Sequence, residues 1–93
     1  MSGNIIQTYL IYLSKERGYS EHTVYAYKTD MNRFSNFIKS KSTTILKAKK
    51  EHIREFIADA FEQGFHPKTV SRRIAALKSF YDYCVEIKEI ESN

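Results

Sequence analysis

The sequence is poor in residues that break or cross-link a chain: its 93 residues include one proline, three glycines and one cysteine. A single cysteine, Cys84, excludes an internal disulfide and is typical of a reducing, intracellular setting. No apolar run approaches the roughly 18 residues that a membrane-spanning helix requires. The N-terminus also lacks the basic start and cleavage site of a secretory signal. We therefore expect a cytoplasmic protein without a membrane partner.

Residue groupings that carry catalysis or bind cofactors are missing as well. The sequence has no glycine-rich phosphate loop, and its histidines lie too far apart for metal-ligand spacing. Cys84 falls on an apolar helical stripe, which favours a buried structural thiol over a nucleophile. The carboxylates form no convergent pair for acid–base chemistry. We therefore expect no metal, no cofactor and no catalytic residue in this chain.

Strand signals are absent, whereas apolar residues recur with helical spacing in four segments. Asn4 and Ser20 are the expected N-caps of the first two helices. The predicted helices span about residues 5–17, 20–40, 50–63 and 67–89. Their predicted inward-facing residues are Ile5, Ile6, Tyr9, Leu10, Leu13, Val24, Tyr27, Met31, Phe34, Ile38, Ile53, Phe56, Ile57, Ala60, Phe61, Val70, Ile74, Leu77, Tyr81 and Cys84, with Phe80 at the edge. Four amphipathic helices with short connections predict an all-α protein, a compact four-helix bundle in one domain over residues 1–93.

The net charge is +4, and the positive surplus lies in two segments. Residues 17–41 hold five basic residues against two acidic ones, and residues 68–85 hold four against one. The third predicted helix, by contrast, alternates in sign on its exposed side, as a solvated surface does. Segregated positive charge indicates nucleic acid as a partner, although a merely solvated surface also produces it.

The fourth predicted helix has an unusual outer side, because the residues opposite its apolar stripe are basic or very small. A helix enters the DNA major groove, about 12 Å wide, only if its side chains permit close approach. Alanine and serine are also ordinary surface residues of helices, so this side alone leaves both interpretations open. The second helix presents a comparable surface. The candidate DNA-binding residues from these two patterns are His22, Tyr25, Lys28, Thr29, Arg33, Lys68, Ser71, Arg72, Arg73, Ala75 and Ser79.

The two surfaces form one binding cradle only if the guanidinium of Arg72 and the amine of Lys28 lie on the same side of the molecule. In that arrangement, Arg72→Glu abolishes duplex binding with little loss of thermal stability. Arg54→Glu on the third helix leaves binding unchanged. A different class of function also fits the same surfaces, a helical protein–protein module that docks an acidic partner. Competition by duplex DNA distinguishes the two.

Two stretches resemble one known family. "YLSKERGYSEHTVYAYKTDMNRFSNFI" and "KTVSRRIAALKSFYDYCVEIKEIESN" are similar to the N-terminal core-binding (SAM-like) domain of tyrosine recombinases, the phage-integrase and Xer-type enzymes. The resemblance covers nearly the whole chain and depends on the order and spacing of helical patterns. The stretch "KAKKEHI" departs from the family, which more often has Ser or Thr followed by Asp there. The matching residues are Thr23, Tyr27, Asp30, Phe34, Thr69, Arg72, Arg73, Leu77, Phe80 and Asn93.

The resemblance implies that the domain forms half of a C-shaped clamp on double-stranded DNA, at the core recombination site, which the second and fourth helices cross. Thr23, Thr69 and Lys78 complete the candidate DNA-binding set. The family's catalytic residues lie in a C-terminal domain without a counterpart here, so we expect no enzymatic activity. That catalytic domain of the parent protein is the second expected partner. We expect the parent to form a tetramer on DNA, this chain alone to be monomeric, and Asn93 to mark a boundary within a longer protein.

Overall fold

Four helices and short connections make up the part of the chain that the structure describes. The computed structural model covers residues 2–91, with side chains from residue 5 onward, and Asn93 lies outside the described residues. The helices are α1 (Ser2–Lys15), α2 (Glu21–Lys39), α3 (Lys50–Glu62) and α4 (Pro67–Glu86). No strand occurs within the described range, and the predicted all-α, four-helix class is confirmed. Each helix in the described range is too short or too polar to span a bilayer.

Side-chain acceptors explain where three helices begin. Ser20 accepts a hydrogen bond from the backbone N–H of Thr23 at 3.2 Å, as predicted for the cap of α2. His66 does the same for α4, because its Nδ1 accepts from a first-turn N–H at 3.0 Å. At α3, where the stretch "KAKKEHI" departs from the family pattern, Nδ1 of His52 accepts from the backbone N–H of Lys49, the residue before the helix, at 2.8 Å. The cap prediction for Asn4 was wrong, because α1 already begins at Ser2.

The core forms where α2 and α4 pack against each other and against the two outer helices. The most deeply buried large side chains come from three helices: Tyr9 of α1, Phe34 of α2 and Phe80 of α4. Phe80, which the pattern placed at the edge, is fully buried, with its ring 5.3 Å from that of Tyr9 in an edge-to-face arrangement. α4 therefore contributes more aromatic surface to the core than its apolar stripe predicted.

Two predicted core residues are exposed instead. Ile74 of α4 is 42% exposed and Phe61 of α3 is 54% exposed. On α4 the neighbouring Arg73 is 4% exposed and takes the inward position. Because consecutive helical residues point about 100° apart, turning Arg73 inward turns Ile74 towards solvent. α3 buries a narrower stripe than predicted, which includes Phe56 and Ala60.

The connection between α2 and α3 supplies a core residue that periodicity did not reveal. Ile45 is 1% exposed, and the Tyr81 hydroxyl donates a hydrogen bond to its backbone carbonyl at 2.6 Å. Burial raises the pKa of Tyr81 above its usual value, so this hydroxyl stays protonated and remains a donor. A buried side chain and a buried hydrogen bond thus anchor the longest connection of the described chain to α4.

Candidate nucleic-acid interface

Most of the predicted DNA-binding residues are accessible in the structure. Nine are exposed: His22, Tyr25, Lys28, Arg33, Lys68, Ser71, Arg72, Ala75 and Lys78. Four are half-buried: Thr23, Thr29, Thr69 and Ser79. The remaining one, Arg73, is buried, so the expectation that it flanks the outer side of α4 was wrong. We call the exposed side of α4 that carries Lys68, Ser71, Arg72, Ala75 and Ser79 the α4 face.

A bidentate ion pair fixes the guanidinium at the centre of the α4 face. Asp30 of α2 is 1% exposed, and Nε and Nη2 of Arg72 each donate to one of its carboxylate oxygens at 2.8 Å. This hydrogen bonding raises the pKa of Arg72. Of the five N–H donors of an arginine, three are left over after these two bonds. Since 41% of the side chain is exposed, Arg72 presents those donors to solvent in a fixed orientation.

The sequence pattern missed the role of Asp30, although a signal was present. Asp30 lies three residues after Tyr27 and four before Phe34, which places it beside the apolar stripe of α2. An acidic residue at such a position is buried only when a cation from another element pairs with it. The sequence contains two adjacent arginines at positions 72 and 73 that were open to that interpretation, and both reach this carboxylate.

Lys28 does not share the surface that Arg72 occupies. It lines a groove with Ile6, Gln7 and other residues between α1 and α2, whereas Asp30 marks the side of α2 that faces α4. Residues two positions apart on a helix point about 200° apart, which explains the separation. The predicted single cradle holding both cations is therefore wrong. The surface beside α4 is narrower and excludes Lys28.

A buried tyrosine of α1 fixes another polar group of the α4 face. The Tyr9 hydroxyl, from a side chain with 0% exposure, donates to Oγ of Ser79 at 2.8 Å. Burial raises the pKa of Tyr9, so its hydroxyl remains a proton donor. Ser79 makes no hydrogen bond as a donor within the described chain. Its own hydroxyl proton is therefore free for an acceptor at the surface.

Cys84 has the properties of a structural thiol, as predicted. It is 0% exposed, and burial raises its pKa to about 11. We expect it to react slowly with a thiol reagent at about pH 8, because the reactive thiolate is scarce below that pKa. Absorbance of the released chromophore measures this rate, with the same protein in concentrated urea as the fully reactive control. A native rate equal to the unfolded one would show an accessible thiol.

The arrangement suits the binding of an anionic surface better than it suits catalysis. The α4 face combines fixed guanidinium and hydroxyl donors with small side chains that permit close approach. Within the described residues, no group of three or more His, Cys, Asp or Glu side chains could hold a metal ion. These features match hydrogen-bond acceptors such as phosphate oxygens and the O6 and N7 atoms of guanine.

Comparison with known proteins identifies the family. Residues 6–88 match the model of the phage integrase N-terminal SAM-like domain. The tyrosine recombinase XerC of Bacillus subtilis is 31% identical over 97% of this chain and 30% of its own length. XerC of Herpetosiphon aurantiacus is 33% identical over 95% of the chain and 29% of its length. XerD of Rhizobium meliloti is 29% identical over 89% and 27%.

The matched region is a minor part of each relative. The chain spans about 30% of the length of the curated relatives it matches. No solved structure gives a significant match. The relatives nevertheless align with almost all of this sequence, and the family model covers all four helices except the first residues of α1. The chain therefore belongs to the phage integrase N-terminal SAM-like domain family of the tyrosine recombinases.

Proposed function

We propose that the chain is the DNA-binding, core-binding domain of a site-specific tyrosine recombinase, which grips the recombination core site with α2 and α4. The observation that carries this proposal is the Asp30–Arg72 pair. It holds a guanidinium with free donors on a helix face whose other residues are small or basic. Such a fixed guanidinium loses little conformational freedom when it binds an acceptor.

The α4 face supplies the closest contacts in this mechanism. Ala75 and Ser71 allow the helix to approach the groove floor, while Arg72 reaches a phosphate or a guanine edge. Lys68 lies in the first turn of α4, where the helix dipole adds to its positive charge. On α2, the exposed ring of Tyr25 contacts the adjacent sugar–phosphate backbone of the DNA.

The affinity of this domain alone is expected to be low. A single DNA-binding module buries roughly 600–1,000 Å² of surface, and non-specific dissociation constants are on the order of 10⁻⁴ to 10⁻⁶ M. In a longer parent, a C-terminal catalytic domain on the same chain raises the effective affinity through local concentration. We propose that the parent acts as a tetramer on DNA, and that this chain alone is monomeric and inactive in strand exchange.

Reversing one charge on the α4 face tests the proposal. Lys68→Glu is expected to weaken duplex binding roughly tenfold at about 100 mM salt and to lower the salt slope by about one, because one phosphate contact is lost. Stability should not fall, since an acidic residue in the first turn complements the helix dipole. Fluorescence anisotropy of a labelled duplex measures the binding constant.

Arg54→Glu is the matched control, because it makes the same charge change on the exposed side of α3. It is expected to bind duplex DNA with the same affinity as the unsubstituted chain. Equal weakening by both substitutions would show that only net charge matters and would contradict the assignment of faces. Displacement of the duplex by polyglutamate at comparable charge concentration would instead favour a module that docks an acidic protein.

A further inference from the structure

Arg73 is a buried cation with incomplete neutralisation. Its Nε atom is fully buried and has no hydrogen-bond partner among the described residues. The nearest carboxylate oxygen, Oδ1 of Asp30, lies 3.8 Å away and already accepts a hydrogen bond from Arg72 at 2.8 Å. A buried charge without full pairing is costly, and an unsatisfied buried polar atom commonly marks the place of an ion or a water.

A cleft between α2, α3 and the turn before α4 opens beside this guanidinium. Its polar lining includes Arg33 and Asn36 of α2, Gln63 at the end of α3, and Arg73 itself. The guanidinium carbons of Arg33 and Arg73 lie 5.5 Å and 4.1 Å from the centre of the same ring, that of Phe65. Two cations thus flank one aromatic side chain, and we call this space the Phe65 cleft.

The Phe65 cleft has a surplus of positive charge. Burial lowers the pKa of Arg73, and repulsion by the like charge of Arg33 lowers that pKa further. Asp59 also lines the cleft, and its carboxylate accepts a hydrogen bond from the Gln63 amide. In the described chain Asp59 forms no ion pair with either arginine. One carboxylate therefore faces two cations that it does not contact.

We propose that the Phe65 cleft binds one phosphate group of the DNA backbone, held by Arg33 and Arg73 with the amides of Asn36 and Gln63. Guanidinium pairs with amide donors match the tetrahedral array of phosphate oxygens. The cleft adjoins the α4 face, since Arg73 and Arg72 both lie against Asp30. This inference rests on the proposed function, and it adds α3 to an interface that the sequence confined to α2 and α4.

A surface substitution tests the cleft without removing a core residue. Gln63→Glu places a second carboxylate beside Asp59, and it is expected to weaken duplex binding about eightfold at roughly 100 mM salt, the effect of one lost phosphate contact. Arg33→Gln should have the same effect. The control is Gln7→Glu, the same chemical change at an exposed site on α1. This variant should bind duplex DNA with the same affinity as the unsubstituted chain. Anisotropy of a labelled duplex measures all three.

Inorganic phosphate is the second probe. In the unsubstituted chain, millimolar phosphate is expected to shift the NMR signal of the Arg73 Nε–H, and Gln63→Glu should suppress the shift. Unchanged duplex affinity of the Gln63→Glu variant would overturn the proposal. If phosphate also shifts the Arg73 Nε–H signal of the unsubstituted chain in that experiment, the cleft binds free phosphate and not the DNA backbone. If Lys68→Glu still weakens binding in that experiment, the proposed DNA-binding function survives while the cleft assignment fails.

Discussion

Raising the salt concentration from 50 to 200 mM is expected to weaken duplex binding by roughly 150-fold. The estimate assumes that about four phosphates are neutralised at and beside the α4 face. Lys68, Arg72 and Lys78 neutralise one phosphate each, and Arg33 and Arg73 share the one in the Phe65 cleft. The slope of log affinity against log salt is then close to −3.6, at about −0.9 for each phosphate contact.

The salt experiment also separates DNA binding from protein docking. Protein partners that meet through a few surface ion pairs lose much less affinity over the same range, because no condensed counterions are released. Anisotropy of a labelled duplex at four or more salt concentrations gives the slope, and Lys68→Glu should reduce its magnitude by about one. A slope near zero for the unsubstituted chain would exclude electrostatic capture of DNA as the mechanism.

Asp30→Ala is expected to lower the free energy of unfolding by about 2–4 kcal/mol. Removing one partner of a buried ion pair typically costs 3–5 kcal/mol, and the cost is reduced here because Arg72 remains 41% exposed to water. Arg73, which is buried, then has no carboxylate within 4 Å in the part of the chain that the structure describes. Urea unfolding followed by circular dichroism measures the difference. The control is Glu51→Ala, which removes an exposed carboxylate of α3. Its free energy of unfolding should stay within about 0.5 kcal/mol of that of the unsubstituted chain.

A double-mutant cycle shows whether Asp30 acts through Arg72. In an Arg72→Ala background, Asp30→Ala should cost 0.5–3 kcal/mol less than it does alone, the usual range of coupling between contacting residues. Full additivity of the two substitutions would contradict the ion pair.

The Asp30–Arg72 contact also changes one expectation from the sequence, that Arg72→Glu spares stability. A glutamate there would lie against the buried Asp30 carboxylate. We therefore expect this variant to lose stability as well as binding.

The sequence by itself determined the helices and the general character of the surface. Helical periodicity is a local property, so the spacing from Val24 to Ile38 was enough to predict α2. The predicted bounds of α3 and α4 differ from the observed ones by three residues at most. The sequence was enough to show that the outer side of α4 carries small and basic residues, because the position of a residue along a helix determines the face on which it lies. The similarity to tyrosine recombinases likewise needed only the order and spacing of residues.

Tertiary structure alone decided which polar residues lie inside and what they bind. Arg73 and Ile74 are neighbours in sequence, and the arginine turns inward where other elements supply the Asp30 carboxylate and two aromatic rings beside its guanidinium. The same holds for Tyr9, whose buried hydroxyl is satisfied by Ser79, seventy positions away in the chain. Burying a charge or a hydroxyl is costly unless another element supplies a partner, and a local sequence pattern contains no information about the distance between elements.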